Sequence, residues 1–232
     1  MKLVRALAPT VLILLAAALG SSPAAAGPVV VELFQSQGCS SCPPANANLL
    51  TVVDRPDVIA LSFNVTYWDS LGWKDTFAQA RFTARQWDYA HALRHSDVFT
   101  PQIVVDGRRD GVGADRAEFM RLVRPTGDLD GGPSLGLTGA EVRVGAAASP
   151  ASVADVWLVR FDPRTLQVPI RAGENGGKTL THRNVVRALV RLGRWSGPAE
   201  TLRLPPATDP ALRTSVIVQL PGGGPILAAV KD

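Results

Sequence analysis

Two cysteines separated by two residues, Cys39 and Cys42, sit between an apolar run and a proline-opened amphipathic stretch. This arrangement constrains the chain more than any other feature. The preceding run, Val29-Val30-Val31-Glu32-Leu33-Phe34, reads as a short buried strand with Glu32 as its one charge. Pro43 and Pro44 suit the opening turn of a helix, where a missing N–H costs little. Ala45, Leu49, Val52 and Val53 then recur on one helical face. Asp54-Arg55-Pro56-Asp57 stops that run. A strand, a Cys-x-x-Cys turn and a helix in that order point to a redox site. Two other readings stay open: a structural staple, and a metal clip for Cu(I) or Zn. A bridge closing so short a loop restricts the unfolded chain little, which counts against the staple.

Residues 1–26 read as a secretory signal peptide. Lys2 and Arg5 open it, an apolar run from Ala6 to Leu19 follows, and Ala24-Ala25-Ala26 offers a small-residue cleavage site. The expected protein is therefore exported, periplasmic or secreted, with no stable membrane insertion after cleavage. Export would place both cysteines where a disulfide persists. The net charge of +4 is small, and it falls to about +2 without the leader. No dense Lys/Arg block with interleaved aromatics occurs, so nucleic acid is not an expected partner.

Val58 to Val65 reads as a second strand, giving a β-α-β unit with a right-handed crossover. Thr66 to Asp75 then carries Tyr67, Trp68 and Trp73 with no regular period, so it reads as a loop. Leaving the carboxyl end of a strand, it belongs on the same rim as Cys39. Its aromatics are either a substrate wall or a hydrophobic plug. Phe77 to His95 reads as a helix, with His91 and His95 at i, i+4 but no third metal ligand beside them. No metal is assigned. Pro101 opens a third strand, Asp106-Gly107 marks a turn, and Val112 falls on a short returning strand. Asp115 and Glu118 have the spacing of a capping box for a last helix.

The order β-α-β-α-β-β-α, with Cys39 and Cys42 after the first strand and Thr100-Pro101 before the third, resembles the thioredoxin fold. More narrowly, the chain resembles the exported proteins grouped as domain of unknown function 1223. The motifs carrying that likeness are VELFQSQGCSSCPPA (31–45), YWDSLGWKD (67–75), FTARQ (82–86), TPQIVVDG (100–107) and GENGGKTLTH (173–182). The resemblance implies a cis proline beside the cysteine pair, a role transferred to Pro101, with Thr100 flanking it. It implies a thiol–disulfide oxidoreductase with Cys39 and Cys42 as catalytic residues and no cofactor. Protein thiols or disulfides, and a redox partner, are the expected partners. Thr100, Pro101, Tyr67, Trp68 and Trp73 are the expected substrate-binding residues. Cys39, at the helix start near free N–H groups, is the expected nucleophile, and Cys42 the more buried resolving residue. Gly38 stands where many thioredoxins carry Trp, and Ser40-Ser41 replaces Gly-Pro.

Composition changes near Pro125. Residues 27–125 form the expected α/β thioredoxin-like domain, 126–133 a turn-rich linker, and 134–232 a smaller antiparallel β-sandwich-like domain. Strands are expected over 140–144, 153–161, 166–170, 184–192 and 213–220, with a hairpin into 226–230. His182, the one histidine of this part, is expected in a surface or capping role.

Overall fold

The computed structural model describes residues 27–127, 129, 132–147 and 153–232. The expected leader, residues 1–26, and residues 128, 130 and 131 of the expected linker lie outside the described residues. The first half contains β1 (Val29–Gln35), α1 (Cys42–Leu50), β2 (Val58–Asn64), α2 (Ala80–Ala92), β3 (Gln102–Val105), β4 (Arg109–Gly111) and α3 (Arg116–Leu122). The second half adds β5 (Leu135–Leu137), β6 (Glu141–Val144), β7 (Ala154–Asp162), β8 (Leu166–Pro169) and β9 (Thr179–His182). It ends with β10 (Val185–Trp195), β11 (Glu200–Arg203), β12 (Arg213–Gln219) and β13 (Ile226–Lys231).

The architecture is mixed α/β, dominated by an eight-stranded sheet in the order β13-β12-β7-β10-β2-β1-β3-β4. Smaller antiparallel sheets, β11-β6-β5 and β8-β9, accompany it. β1 pairs with β2 in parallel and with β3 antiparallel. All seven residues of β1 are buried because both faces of the sheet are covered. Val29, Val31 and Leu33 pack with Ala45 and Leu49 of α1 and Phe119 of α3. Val30 and Phe34 point the other way, toward Phe82 and Tyr89 of α2. That alternation explains why the strand reads as an unbroken apolar run.

Glu32 interrupts the run and is 1% exposed. Arg85 of α2 grips it with two hydrogen bonds, Nε to Oε1 at 2.8 Å and Nη2 to Oε2 at 3.1 Å, and Tyr89 Oη donates to the same carboxylate. Arg85 also reaches Gln219 of β12, 3.0 Å away. A carboxylate this deep persists only with such partners. The FTARQ motif thus supplies the counter-ion for the VELFQ motif.

Helix α2 begins at Ala80, three residues later than the periodicity predicts. Asp75 Oδ1 accepts the Phe77 N–H at 2.8 Å and holds the chain in a turn there. In α3 half of the expected box forms: the Glu118 N–H donates to Asp115 Oδ1 at 2.8 Å, while Glu118 Oε2 accepts from the Gly113 N–H at 3.3 Å, two residues before the cap. The run expected as strand over 184–192 is strand from Val185 on, within β10.

The second half corrects the expectation of a sandwich standing by itself. Its longest strands continue the sheet of the first half, through a parallel contact of β10 with β2 at Val185 and Ser62. Asn184 makes the joint. Its carbonyl accepts the Ser62 N–H at 2.9 Å, and its side-chain amide donates to the Ala60 carbonyl at 2.8 Å. Only a local second layer resembles a sandwich. There β11-β6-β5 covers β7, β12 and β13 around Val142, Val144, Leu158, Trp195 and Val216. The short strands β5, β9 and β11 lie outside the expected strands. No helix among the described residues is long and apolar enough to cross a membrane.

Candidate functional site

Cys39 and Cys42 are joined by a disulfide at the turn between β1 and α1. Both are buried, at 0% and 1% exposure. The expected contrast, an accessible Cys39 above a deeper Cys42, is therefore absent. Cys39 Sγ lies 3.2 Å from Ser41 Oγ and 3.9 Å from the Thr100 carbonyl oxygen. The Ser41 hydroxyl also lies 3.4 Å from that carbonyl, so its one proton is shared between sulfur and oxygen. Thr100–Pro101 is a cis peptide. Pro101 itself is buried, and it is the Thr100 carbonyl that faces the sulfur.

The helix start supplies less to the sulfur than the sequence reading assumes. Cys42 opens α1 and donates its N–H to the Cys39 carbonyl at 3.2 Å. The next two positions are Pro43 and Pro44, which have no N–H at all. The hydrogen-bond donor beside Cys39 Sγ is the Ser41 side chain.

The aromatic loop is bound to the cysteine turn by a single polar network. Gln37, fully buried, accepts from Trp73 Nε1 at 3.0 Å and from the Thr76 N–H at 3.2 Å through its Oε1. Its own N–H donates to Asp75 Oδ2 at 2.7 Å, which also accepts from Asn64 Nδ2 at 2.8 Å. Burial raises the pKa of Asp75, while these donors pull it back down. Trp68 Nε1 donates to Thr100 Oγ1 at 2.7 Å. Trp68, Trp73 and Thr100 are thus brought together around the turn. Tyr67 packs, like Trp68, against the α2-side core. Its hydroxyl is buried beside Thr100 and Gln86, and burial pushes its pKa up to about 12 against the pull of those two side chains. The Thr100 side is fastened by Gln86, whose amide donates to the Phe99 carbonyl at 2.7 Å and to Gln102 at 2.9 Å.

Residues beyond the reach of local sequence reasoning complete the site. The segment Gly173–Lys178 lies across the cysteine turn. Asn175, wholly buried, donates to the carbonyls of Gln37 at 3.0 Å and Cys39 at 2.9 Å. Glu174 accepts the Ser40 N–H at 2.9 Å, and that N–H holds its carboxyl below the usual carboxylate range. Gly173 abuts Trp73: a side chain there would place Cβ 3.2 Å from Trp73 Cβ, and its φ of +72° already favours glycine. The glycines of the GENGGK run are the local signal from which a tight turn here could have been read.

His182 is not on the surface. It is 1% exposed, meets Phe77 edge-on at 5.5 Å, and leaves both ring nitrogens without partners among the described residues. Burial pushes its pKa down to about 4, so the ring is neutral. The other two histidines do not face each other: His95 pairs with Asp110 at 2.8 Å, and His91 packs against Trp87. Among the described residues no group of three or more His, Cys, Asp or Glu is arranged to hold a metal.

Comparison with known proteins adds three findings. The family model described as a protein of unknown function, DUF1223, matches residues 30–219. A crystal structure of a structural-genomics protein from Agrobacterium tumefaciens is 31% identical, covers 88% of this chain and 92% of its own, and superposes with a TM-score of 0.71. HBP35 of Porphyromonas gingivalis is 13% identical over 89% of this chain and 74% of its own, with a TM-score of 0.58, a likeness of fold alone. No curated protein matches the chain.

Proposed function

The chain belongs to the DUF1223 family, and we propose that it is an exported thiol–disulfide oxidoreductase whose Cys39–Cys42 pair exchanges with protein thiols or disulfides. The observation that carries this reading is the disulfide at the strand-to-helix turn with the Thr100 carbonyl, just before cis Pro101, against Cys39 Sγ. A thioredoxin-like arrangement is supported by the parallel β1-α1-β2 unit, the antiparallel β3-β4 pair and α3. The leader-like residues 1–26 are the ground for export.

In the reduced protein Cys39 is the attacking thiolate. The Ser41 hydroxyl, 3.2 Å from the sulfur, donates to it. Thiolate attack on a substrate disulfide forms a mixed disulfide and releases one substrate thiol. Cys42 then attacks Cys39 Sγ, releases the second thiol and re-forms the bridge. Trp68, Trp73 and Thr100 line the turn where the substrate docks. Because both cysteines are buried, a protein substrate engages only after the 173–178 strap moves aside.

Cys39→Ser is expected to abolish reduction of a peptide disulfide by the reduced protein while leaving the circular-dichroism spectrum intact. Wild-type exchange rates in that variant would refute the proposal.

A further inference from the structure

A cavity of about 290 Å³ lies on the α2 side of the large sheet, and neither cysteine lines it. Asp155 and Trp157 of β7, two residues apart and so on one face of the strand, form its floor. On one side stand Arg194 and Arg191 of β10, the register partners of Asp155 and Trp157. On the other side lies the turn 221–223, which follows β12, with Asp88 of α2 against it. Gly223 makes that contact. Its φ is +73°, and a Cβ there would lie 2.5 Å from the Asp88 carbonyl carbon. β10 and β12 flank β7, so the two walls rise from strands about two spacings, or ~10 Å, apart.

The charges on the two walls are opposite and unbalanced. Asp155, whose side chain is 8% exposed, has Arg191 Nη1 at 3.3 Å and Arg194 Nε at 3.7 Å from the same oxygen, Oδ1. Two guanidiniums thus share one carboxylate, which leaves a positive charge in excess on that side. Both arginine side chains are at least half exposed and keep most of their N–H donors uncommitted among the described residues. Arg85 adds no free charge, because Glu32, Tyr89 and Gln219 take up its guanidinium, which lies 5.7 Å over the half-buried Trp157 ring. Across the floor the Asp88 carboxylate makes no hydrogen bond or ion pair among the described residues. Burial raises its pKa; Arg85 and His91 pull against that rise and Asp155 adds to it.

A lone anion on the arginines would face Asp155 and Asp88, and a lone cation on Asp88 would face the arginines. A molecule carrying both charges, one at each end, satisfies both walls. We infer that this cavity binds a small ω-amino carboxylate, with its carboxylate on Arg191 and Arg194, its ammonium on Asp88 and its carbon chain over the Trp157 indole. The volume lies at the small end of ligand sites, roughly 300 to 1,000 Å³, which suits a molecule of amino-acid size. Guanidinium–carboxylate and ammonium–carboxylate contacts are charge-assisted and about twice as strong as neutral hydrogen bonds, so both ends contribute to selection. The separation of the walls selects against an α-amino acid, whose two charges are adjacent. The site is independent of the cysteine chemistry, and the inference does not rest on the redox reading.

The test is isothermal titration of the full-length protein with 6-aminohexanoate. Hexanoate and hexylamine serve as single-charge analogues of the same length, and glycine as a zwitterion too short to span the walls. Saturable binding of 6-aminohexanoate is expected, with each of the three controls weaker by about tenfold or more. Asp88→Asn keeps the shape and removes the charge, and should bring 6-aminohexanoate down to the affinity of hexanoate. Arg194→Gln acts at the more exposed arginine and leaves Arg191 on Asp155, so the fold is kept; it should weaken 6-aminohexanoate about tenfold. No saturable binding of 6-aminohexanoate, equal binding of hexanoate, hexylamine or glycine, or an unaltered affinity in either variant overturns the inference. None of these outcomes bears on the Cys39→Ser test with a peptide disulfide.

Discussion

Asn175→Ala offers the most direct measure of what the strap does. The side chain donates to two backbone carbonyls of the cysteine turn, Gln37 at 3.0 Å and Cys39 at 2.9 Å. The Cys39 carbonyl retains the Cys42 N–H as a second partner. The Gln37 carbonyl has no such reserve among the hydrogen bonds described. Leaving a buried acceptor unsatisfied costs about 1–3 kcal/mol, and a lost ordinary hydrogen bond about 1 kcal/mol. Truncation should therefore weaken the closed strap by about 2–4 kcal/mol. At ~1.4 kcal/mol per tenfold, its open population rises between roughly 30-fold and several hundredfold. Reduction of the disulfide by a thiol-terminated polyethylene glycol, which needs the open form, should accelerate by that factor. Hydrogen exchange at the Ser40 N–H, now held by Glu174, should quicken in parallel. Asn175→Asp controls for volume: a carboxylate facing two carbonyls opens the strap as well. If polymer reduction stays at the wild-type rate while the melting temperature falls, the strap contributes to stability only and does not gate access.

Two further perturbations test the framework and the buried histidine. Arg85→Met strands Glu32 in the core without its counter-ion and should cost about 3–5 kcal/mol in urea unfolding; the double variant Glu32→Gln with Arg85→Met should recover part of that loss, and a double-variant loss equal to the sum of the two single losses would show the pair to be energetically uncoupled. His182 holds a pKa of about 4 when folded against 6.5 for the free side chain, so between those values the unfolded chain binds more protons and stability falls as pH drops. That contribution is about 3 kcal/mol from pH 6.5 to 4, and His182→Leu should flatten the urea midpoint over that window relative to wild type; parallel pH profiles would show that the ring is not buried neutral.

The site was partly legible because its chemistry-bearing pieces are local. A strand, Cys39-x-x-Cys42 and a helix follow one another within a few residues, and the capping pair Asp115 and Glu118 is three residues apart. The motifs also pointed correctly to segments that converge: FTARQ holds Glu32 through Arg85 and the Phe99 carbonyl through Gln86. What escaped were the partners that the second half brings to the cysteine turn. Asn175 meets Gln37 across 138 residues and Glu174 meets Ser40 across 134. Hydrophobic period carries no information about such pairs. The separate sandwich failed for the same reason. Alternation in β7, β10 and β12 reveals strands with covered faces, but not that β10 lies beside β2. His182 looked unremarkable because its burial comes from the fold around β9, whereas its four-residue strand shows no pattern.

The second half follows physically from how poorly the cysteine turn can sustain itself. A buried turn must satisfy its backbone groups, and this one replaces two helix N–H donors with prolines and places small, flexible residues at Gly38, Ser40 and Ser41. Its polar groups are met from outside: Asp75 takes the Gln37 N–H, Asn175 takes the Gln37 and Cys39 carbonyls, and Glu174 takes the Ser40 N–H. The last two come from the segment just before β9, and β9 leads through Asn184 into β10, which joins the sheet beside β2. Docking β10 onto the first-half sheet thus sets the strap over the disulfide. It follows that disrupting the Asn184 joint should loosen the strap more than any change at the far edge of the sheet, where β13 and β12 lie beyond β7.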